Sequence, residues 1–237
     1  MKLSAPIFQL KHKAKKLSRE ANVPLSVALD RIAGKEGFAS WSLLAARASA
    51  NRPSTDLFAR LTPGDVVLLG ARPGHGKTMM GLSLSADAVR AGHRAMFFTL
   101  EYTEAETRER FRSAGGDPAA ANGKFQLDCS DAISADYIIN RLPAADRGTL
   151  IVIDYLQLLD QKRGNANLSD QLSALKSFAQ TTGVIIVCIA QIDRSYELSG
   201  RPLPDMSDVR LPNPLDLTLF NKACFMNNGT VRIDALS

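Results

Sequence analysis

Cysteine is scarce in this chain and badly placed for cross-linking. The three residues, Cys129, Cys188 and Cys224, are far apart, odd in number and form no C-x-x-C pair. That excludes a disulfide framework or a cysteine-based zinc site and suggests reduced thiols. Long apolar runs are also missing: none approaches the ~20 residues a membrane span needs. Residues 1–16 show no apolar h-region and no small-residue cleavage site, so no secretory signal is visible. Internal repeats and low-complexity tracts are absent. These absences predict a cytoplasmic protein with no membrane partner.

What is present is globular. Hydrophobic residues make up 45% of 237 positions, enough for one α/β core plus a small appendage. The net charge of +5 is uneven. Residues 1–50 hold nine Lys and Arg against three acids, so this segment is strongly basic and the remainder close to neutral. A basic appendage on a near-neutral body fits a polyanionic partner, or simply a solvated helix face.

The appendage reads as three short helices. Ile7, Leu10, Ala14 and Leu17 recur at helical spacing within residues 4–20, and Lys11, Lys13, Lys15 and Lys16 fill the other faces. Pro24 opens a second helix that ends near Gly34. Phe38, Trp41, Leu43 and Leu44 lie on a third, with Ser40 as a cap. Ile7, Leu10, Leu17, Leu29, Ile32, Phe38, Trp41 and Leu44 are its expected mini-core. Residues 25–49 have helix-turn-helix proportions, and a helical docking module is the equal alternative. The polar, proline-broken stretch 51–55 is the expected linker, which leaves 56–237 as the main domain.

That domain is organised around residues 66–78, VVLLGARPGHGKT. A β-branched apolar run breaks into Ala71-Arg72-Pro73-Gly74-His75-Gly76-Lys77-Thr78, and a helical segment follows. The order strand, glycine-containing loop, helix start makes a concavity of backbone N–H groups for anionic oxygens. Lys77 would reach the outer phosphates and the Thr78 hydroxyl would ligate Mg²⁺. Ala71 stands where G-x-x-x-x-G-K-[ST] has its first glycine. Residues 71–78 are therefore the expected nucleoside-triphosphate site.

Strands and helices then alternate, which predicts a mostly parallel sheet covered on both faces. Expected strands are 66–69, 95–99, 125–128, 150–154, 184–190, 215–220 and 230–233, with Asn228-Gly229 as a hairpin turn. Expected helices are 79–90, 103–112, 134–142 and 168–180. Glu101, Asp154 and Gln191 follow or end buried strands on the side where ligands bind such sheets. Asp154 suits the carboxylate that holds Mg²⁺ beside Thr78, and otherwise a turn or cap. Glu101 is a general base or an ordinary surface acid. Gln191 is a γ-phosphate sensor or a group satisfying backbone.

The motifs PGDVVLLGARPGHGKT, FFTLEYTEAE, FQLDCSDAIS, LIVIDYLQLL, VCIAQIDRSYE, SDVR and GTVRI together resemble the DnaB-type hexameric replicative helicases, within the RecA-like ATPases. The resemblance spans roughly 54–237. It implies a RecA-like fold, ATP and Mg²⁺ as cofactors, Lys77 and Thr78 on phosphate and metal, Glu101 as catalytic glutamate, Asp154 as metal-linked acid and Gln191 as sensor. Arg72 matches the family without an assigned role. The family threads single-stranded DNA through a ring, gripping phosphates with loops after the Asp154 and Gln191 strands. Here those loops hold Lys162, Arg163, Arg194, Arg201 and Arg210.

Three features depart from that pattern. The family's helical collar is absent and the basic segment, a possible replication-protein contact, stands in its place. The lead-in STDLFARLTPGD is shorter than usual. The family supplies a K-x-R pair into a neighbouring subunit's site. Aligned on Gly229-Thr230-Val231-Arg232, its Lys falls on Lys222 and its Arg on Cys224, which carries no such charge. Slow hydrolysis, a borrowed arginine such as Arg232, or dependence on a partner is the expected consequence. A Mg²⁺-dependent ATPase acting on single-stranded DNA, possibly as a homo-hexamer, is the leading expectation. A low-turnover ATP-binding module that docks on DNA or a replication partner is the alternative.

Overall fold

The computed structural model describes residues 3–5, 7–50, 52–160, 165–211, 213 and 215–236, with the backbone alone at 8 and 46–50. By contact density the chain divides into residues 1–56 and 57–237.

The first unit holds α1 (Ile7–Glu20), α2 (Leu25–Lys35) and α3 (Trp41–Ala50). Leu10, Ala14, Ala28, Ile32, Ala33 and Leu44 are buried together, and Ile7, Leu17, Leu29, Phe38 and Trp41 pack around them. The expected mini-core is therefore present. Pro24 sits just before α2, where its missing N–H costs nothing. A further helix, α4 (Pro53–Phe58), occupies much of the expected linker. Its opening proline and first-turn Asp56 suit a helix start better than an extended connection.

The second unit is a seven-stranded sheet. Its strands are β1 (Val66–Ala71), β2 (Ala95–Thr99), β3 (Phe125–Asp128), β4 (Leu150–Asp154), β5 (Ile185–Gln191), β6 (Lys222–Asn227) and β7 (Thr230–Ala235), in the order β3-β2-β4-β5-β1-β6-β7. Every neighbouring pair is parallel except β6 with β7. Helices α5 (Lys77–Arg90), α6 (Glu104–Ser113), α7 (Ala135–Asn140) and α8 (Leu168–Thr182) connect the strands.

Because successive strand residues point to opposite faces, β1 splits its side chains between two cores. Val66 and Leu68 join Ile151, Ile153, Ile186 and Leu172 of α8 on one side. Val67, Leu69 and Ala71 join Val152, Ile189, Leu82 of α5 and Phe111 of α6 on the other. Gly81 lets α5 lie close on the sheet: a Cβ there would meet Ile189 at 2.9 Å and Val152 at 3.0 Å.

One expected strand is corrected. Within 215–220 the chain makes a 3₁₀ turn at Leu217–Leu219, and the strand is Lys222–Asn227. The Asp216 carboxylate accepts from the Thr218 N–H at 2.9 Å, and this local cap outcompetes extension.

Candidate nucleotide site at the carboxyl ends of the strands

Residues 71–78 lie where β1 ends and α5 begins, at the carboxyl ends of the parallel strands. Gly74 and Gly76 have φ of 78° and 85°, a conformation side chains resist, and Gly76 immediately precedes Lys77 at the helix start. First-turn N–H groups of α5 and the loop amides thus face the same space. His75 Nδ1 accepts from the Asn228 N–H at 3.4 Å, so the β6–β7 hairpin borders this loop.

The sheet brings the expected residues together. Asp154 ends β4, paired with Ile189 of β5 and Thr99 of β2. Gln191 ends β5 opposite Ala71. Glu101 stands two residues past Thr99, whose hydroxyl accepts from the Glu101 N–H at 3.0 Å. Lys77 Nζ is 3.9 Å from Glu101 Oε1, and the Thr78 hydroxyl donates to Glu101 Oε2 at 3.2 Å. The four polar side chains that the sequence nominated around Thr78 therefore share one strand end.

Asp154 is the electrostatic anomaly. It is fully buried, and neither carboxylate oxygen has a hydrogen-bond partner among the described residues. Burial and the Glu101 charge push its carboxyl up to about 7, and the nearby Thr78 hydroxyl and Lys77 only partly offset them. A buried acid beside a hydroxyl, with its oxygens unused, is short of positive charge. That fits a divalent cation. Among the described residues no cluster of three or more His, Cys, Asp or Glu could cage a metal. A Mg²⁺ held by one or two protein oxygens, water and substrate phosphates is the kind this donor set accommodates.

Arg72, left without a role by sequence, is buried. Its Nε and Nη2 donate to Glu197 Oε1 at 2.9 and 2.5 Å, and Nη1 donates to the Ile192 carbonyl at 3.1 Å. It ties the loop after β1 to the loop after Gln191. That second loop folds back on itself: the Arg210 N–H donates to the Gln191 carbonyl at 2.8 Å, and the Asp193 N–H to the Asp208 carbonyl at 2.8 Å. Asn227 at the end of β6 holds it too, donating to the Tyr196 hydroxyl at 3.1 Å and the Pro202 carbonyl at 2.9 Å. No sequence signal announces these contacts, because they join residues with no common periodicity.

The expected DNA-contacting residues divide. Arg194 and Arg210 are exposed. Arg201 is engaged, with Nη1 on Asp205 and Nη2 on Asp208 Oδ1 at 2.6 Å, so its charge is already matched. Lys162 and Arg163 lie outside the described residues.

Lys222, the expected trans-acting residue, is engaged within its own unit. Lys222 opens β6 opposite Val67, at the amino end of the strands, whereas Met226 pairs with Ala71 beside the nucleotide loop. Its ammonium meets Asp65 Oδ2 at 2.5 Å and the Arg60 carbonyl at 2.7 Å, inside its own unit. Cys224 pairs with Leu69 in mid-strand and is fully buried, with its thiol pushed to about 12, chiefly by burial. Arg232 Nε pairs with Asp234 at 2.8 Å.

Comparison with known proteins agrees with this geometry. Residues 118–213 match the family model of the DnaB-like helicase C-terminal domain. That stretch, from ahead of β3 to the loop before β6, resembles the domain that the family model describes. A probable plasmid replicative DNA helicase of Chlamydia trachomatis is 27% identical over 181 residues, covering 63% of this chain and 40% of that protein. The replicative DNA helicase DnaB of Mycoplasma pneumoniae is 27% identical over 199 residues, 66% of this chain and 42% of the relative. The chain thus spans about two-fifths of the length of these relatives. Among solved structures, a DnaB-like replicative helicase described with its interactions with primase superposes at TM-score 0.57, with 18% identity, over 92% of this chain and 64% of that one. A second solved structure, described as an ATPase domain, superposes at 0.55 with 20% identity over 77% of this chain and 80% of its own. At that identity the two structures show the fold alone, a mostly parallel seven-stranded sheet with helices. Among the described residues no helix is long and apolar enough to cross a membrane.

Proposed function

We propose that this protein is a Mg²⁺-dependent ATP hydrolase of the DnaB-helicase type that couples hydrolysis to movement on single-stranded DNA. The observation that carries the reading is the orphaned, buried Asp154 carboxylate beside Thr78, with Lys77 and Glu101 against the same loop. Thr78 and Asp154 are the residues that would hold Mg²⁺, directly and through water. Bound there, the ion supplies charge neutralisation at the phosphates.

The remaining work falls to side chains. Loop amides and the α5 N-terminus bind the phosphate oxygens, and Lys77 balances the charge that grows on the γ-phosphoryl group. Lys77 and Thr78 both lie against Glu101. Glu101 would orient the attacking water and accept its proton. Gln191 and Arg72 stand at the root of the loop over 192–210 and would pass the state of the nucleotide to Arg194 and Arg210. Phosphate contacts from those arginines would be blind to sequence and sensitive to salt.

A ring of six copies in the cytoplasm, with a replication protein as a further partner, completes this reading by likeness to the relatives. One observation favours a slower, binding-dominated variant: Lys222 and Arg232, the basic candidates on β6 and β7, both pair with acids of their own unit.

The test is ATP turnover with and without single-stranded DNA, alongside strand displacement and light scattering. Glu101→Gln is expected to keep ATP binding and lose about 10²- to 10⁴-fold in turnover. Lys77→Ala is expected to lose binding as well. Turnover unchanged in both variants sinks the enzymatic reading. Tight ATP binding by a monomer that neither turns over nor displaces strands favours the binding module.

A further inference from the structure

A strongly charged surface that this function does not use lies on α1. Taking 100° per residue, buried Leu10 and Ala14 with half-buried Ile7 and Leu17 occupy one side of the helix. Lys11, Lys15, Arg19, His12 and Lys16 follow one another over an arc of about 140° on the opposite side, and all are exposed. From Lys11 to Arg19 the stripe runs about 12 Å along the axis.

Acids do not neutralise it. Of the three acids in residues 1–50, Glu20 sits at the far end, 3.7 Å from Lys16 in an exposed pair. Asp30 is occupied by the Trp41 N–H at 2.8 Å. Glu36 accepts from both Ser4 groups, the backbone one at 2.7 Å, and those bonds with Lys13 nearby hold its carboxyl below the usual range. Lys13 thereby leaves the stripe, whereas Lys11, Lys15 and Arg19 have no ion-pair partner among the described residues. Holding four cations on one rigid helix face costs self-repulsion that a polyanion would relieve.

We propose that the outer face of α1 is a docking surface for the phosphate backbone of duplex DNA, separate from the ATPase unit and independent of nucleotide. Charge complementarity selects a polyanion. Duplex DNA carries a phosphate charge about every 1.7 Å of axis, and that charge density matches four cations spread along about 12 Å of helix. The surface is α1, not the second helix of the helix-turn-helix-like pair, because α3 turns the apolar Leu43 outward at 55% exposure. The contact is sequence-blind, serving to keep the ATPase unit near duplex.

The experiment uses the full chain without nucleotide, measuring binding to a mixed-sequence DNA duplex from about 50 to about 200 mM salt. The combined variant Lys11→Gln, Lys15→Gln, Lys16→Gln and Arg19→Gln is expected to weaken duplex binding at least about tenfold at the low-salt end and to flatten the log–log salt slope by about 3 to 4. Its nucleotide-dependent ATP turnover without DNA should match the parent, which also reports that the chain is folded. Lys11→Arg, Lys15→Arg and Lys16→Arg together should retain both affinity and slope. Unchanged affinity and slope in the glutamine variant overturns the proposal, as does loss of binding in the arginine variant. Binding of the parent to phosphatidylglycerol vesicles as tight as to duplex overturns it in favour of a membrane surface. Loss of ATP turnover in Glu101→Gln with duplex binding intact leaves this surface standing on its own.

Discussion

The two ends of the same parallel strands treat a buried aspartate in opposite ways. At the amino end, Asp65 precedes β1 and nearly every bonding direction of its carboxylate is used. Oδ2 accepts from the Thr62 N–H at 2.6 Å and the Thr62 hydroxyl at 3.0 Å, and meets Lys222 at 2.5 Å, while Oδ1 accepts from Asn221 at 2.6 Å. Asn221 in turn accepts from the Val66 N–H at 2.7 Å, which fixes β6 to β1. At the carboxyl end Asp154 is equally buried and, among the described residues, wholly unbonded. Burial raises both carboxyls. At Asp65 the Lys222 and Thr62 bonds overcome it and the net shift is downward, whereas at Asp154 nothing does. A satisfied acid contributes to folding, and an orphaned one stores an appetite for a cation. One sheet thus carries a satisfied acid at one edge and an unpartnered one at the other.

The largest break in this contrast comes from Asp65→Asn. It leaves the Lys222 ammonium, only 18% exposed, without its counter-charge. Fully buried pairs lose ~3–5 kcal/mol when broken, and partial solvation of Lys222 reduces this to about 2 kcal/mol. The sign with pH follows from the lowered carboxyl. Its stabilisation is complete above the unfolded value of about 3.9 and is lost as pH falls through the lower folded value. Urea unfolding of both proteins should therefore differ by a constant amount from neutral pH to about 5 and converge below about 4. A difference that persists in acid would assign the effect to the hydrogen bonds alone.

Asp154→Asn tests the other edge with the same chemistry and the opposite sign. Without nucleotide or metal it is expected to leave stability unchanged or raise it by up to about 1 kcal/mol, because a buried charge with no partner is removed. Mg²⁺-stimulated turnover should still fall by at least about 100-fold. Urea midpoints together with turnover decide this: a loss of stability as large as at Asp65 would mean that Asp154 is structural and that the site has been misassigned.

Sequence exposed the carboxyl edge far better than the amino edge. The nucleotide loop is a contiguous string, and Asp154 and Gln191 each close a long apolar run, so local order alone placed them. β1, β2, β4 and β5 were legible for the same reason. The Asp65–Asn221–Lys222 network joins residues some 155 positions apart, and nothing periodic announces such a contact. Lys222 was assigned to a neighbour's site on spacing. The register of β6 against Val67 places it at the amino edge, beside Asp65. Residues 215–220 looked like a strand because apolar side chains alternate there, and a short-range Asp216 cap decided otherwise.

The smallest expected effect concerns how the functional edge is joined to the loop that follows Gln191. Glu197 is 63% exposed while Arg72 is 10% exposed at the side chain, so their pairing is asymmetric. Removing the carboxylate by Glu197→Gln leaves Arg72 its bond to the Ile192 carbonyl, and solvent screens most of what is lost. Global stability should fall by less than about 1 kcal/mol. The consequence should be local instead. Tyr196, which stays buried and bonded to the Arg201 carbonyl at 2.6 Å and to Asn227, keeps the loop folded, while the turn at Arg194–Ser199 loses its side-chain tie to Arg72. Amide hydrogen exchange across that turn is expected to quicken in Glu197→Gln, with exchange at Asp65 and along β1 unaltered. Equal acceleration at both ends of the sheet would show that the two edges are not energetically separate.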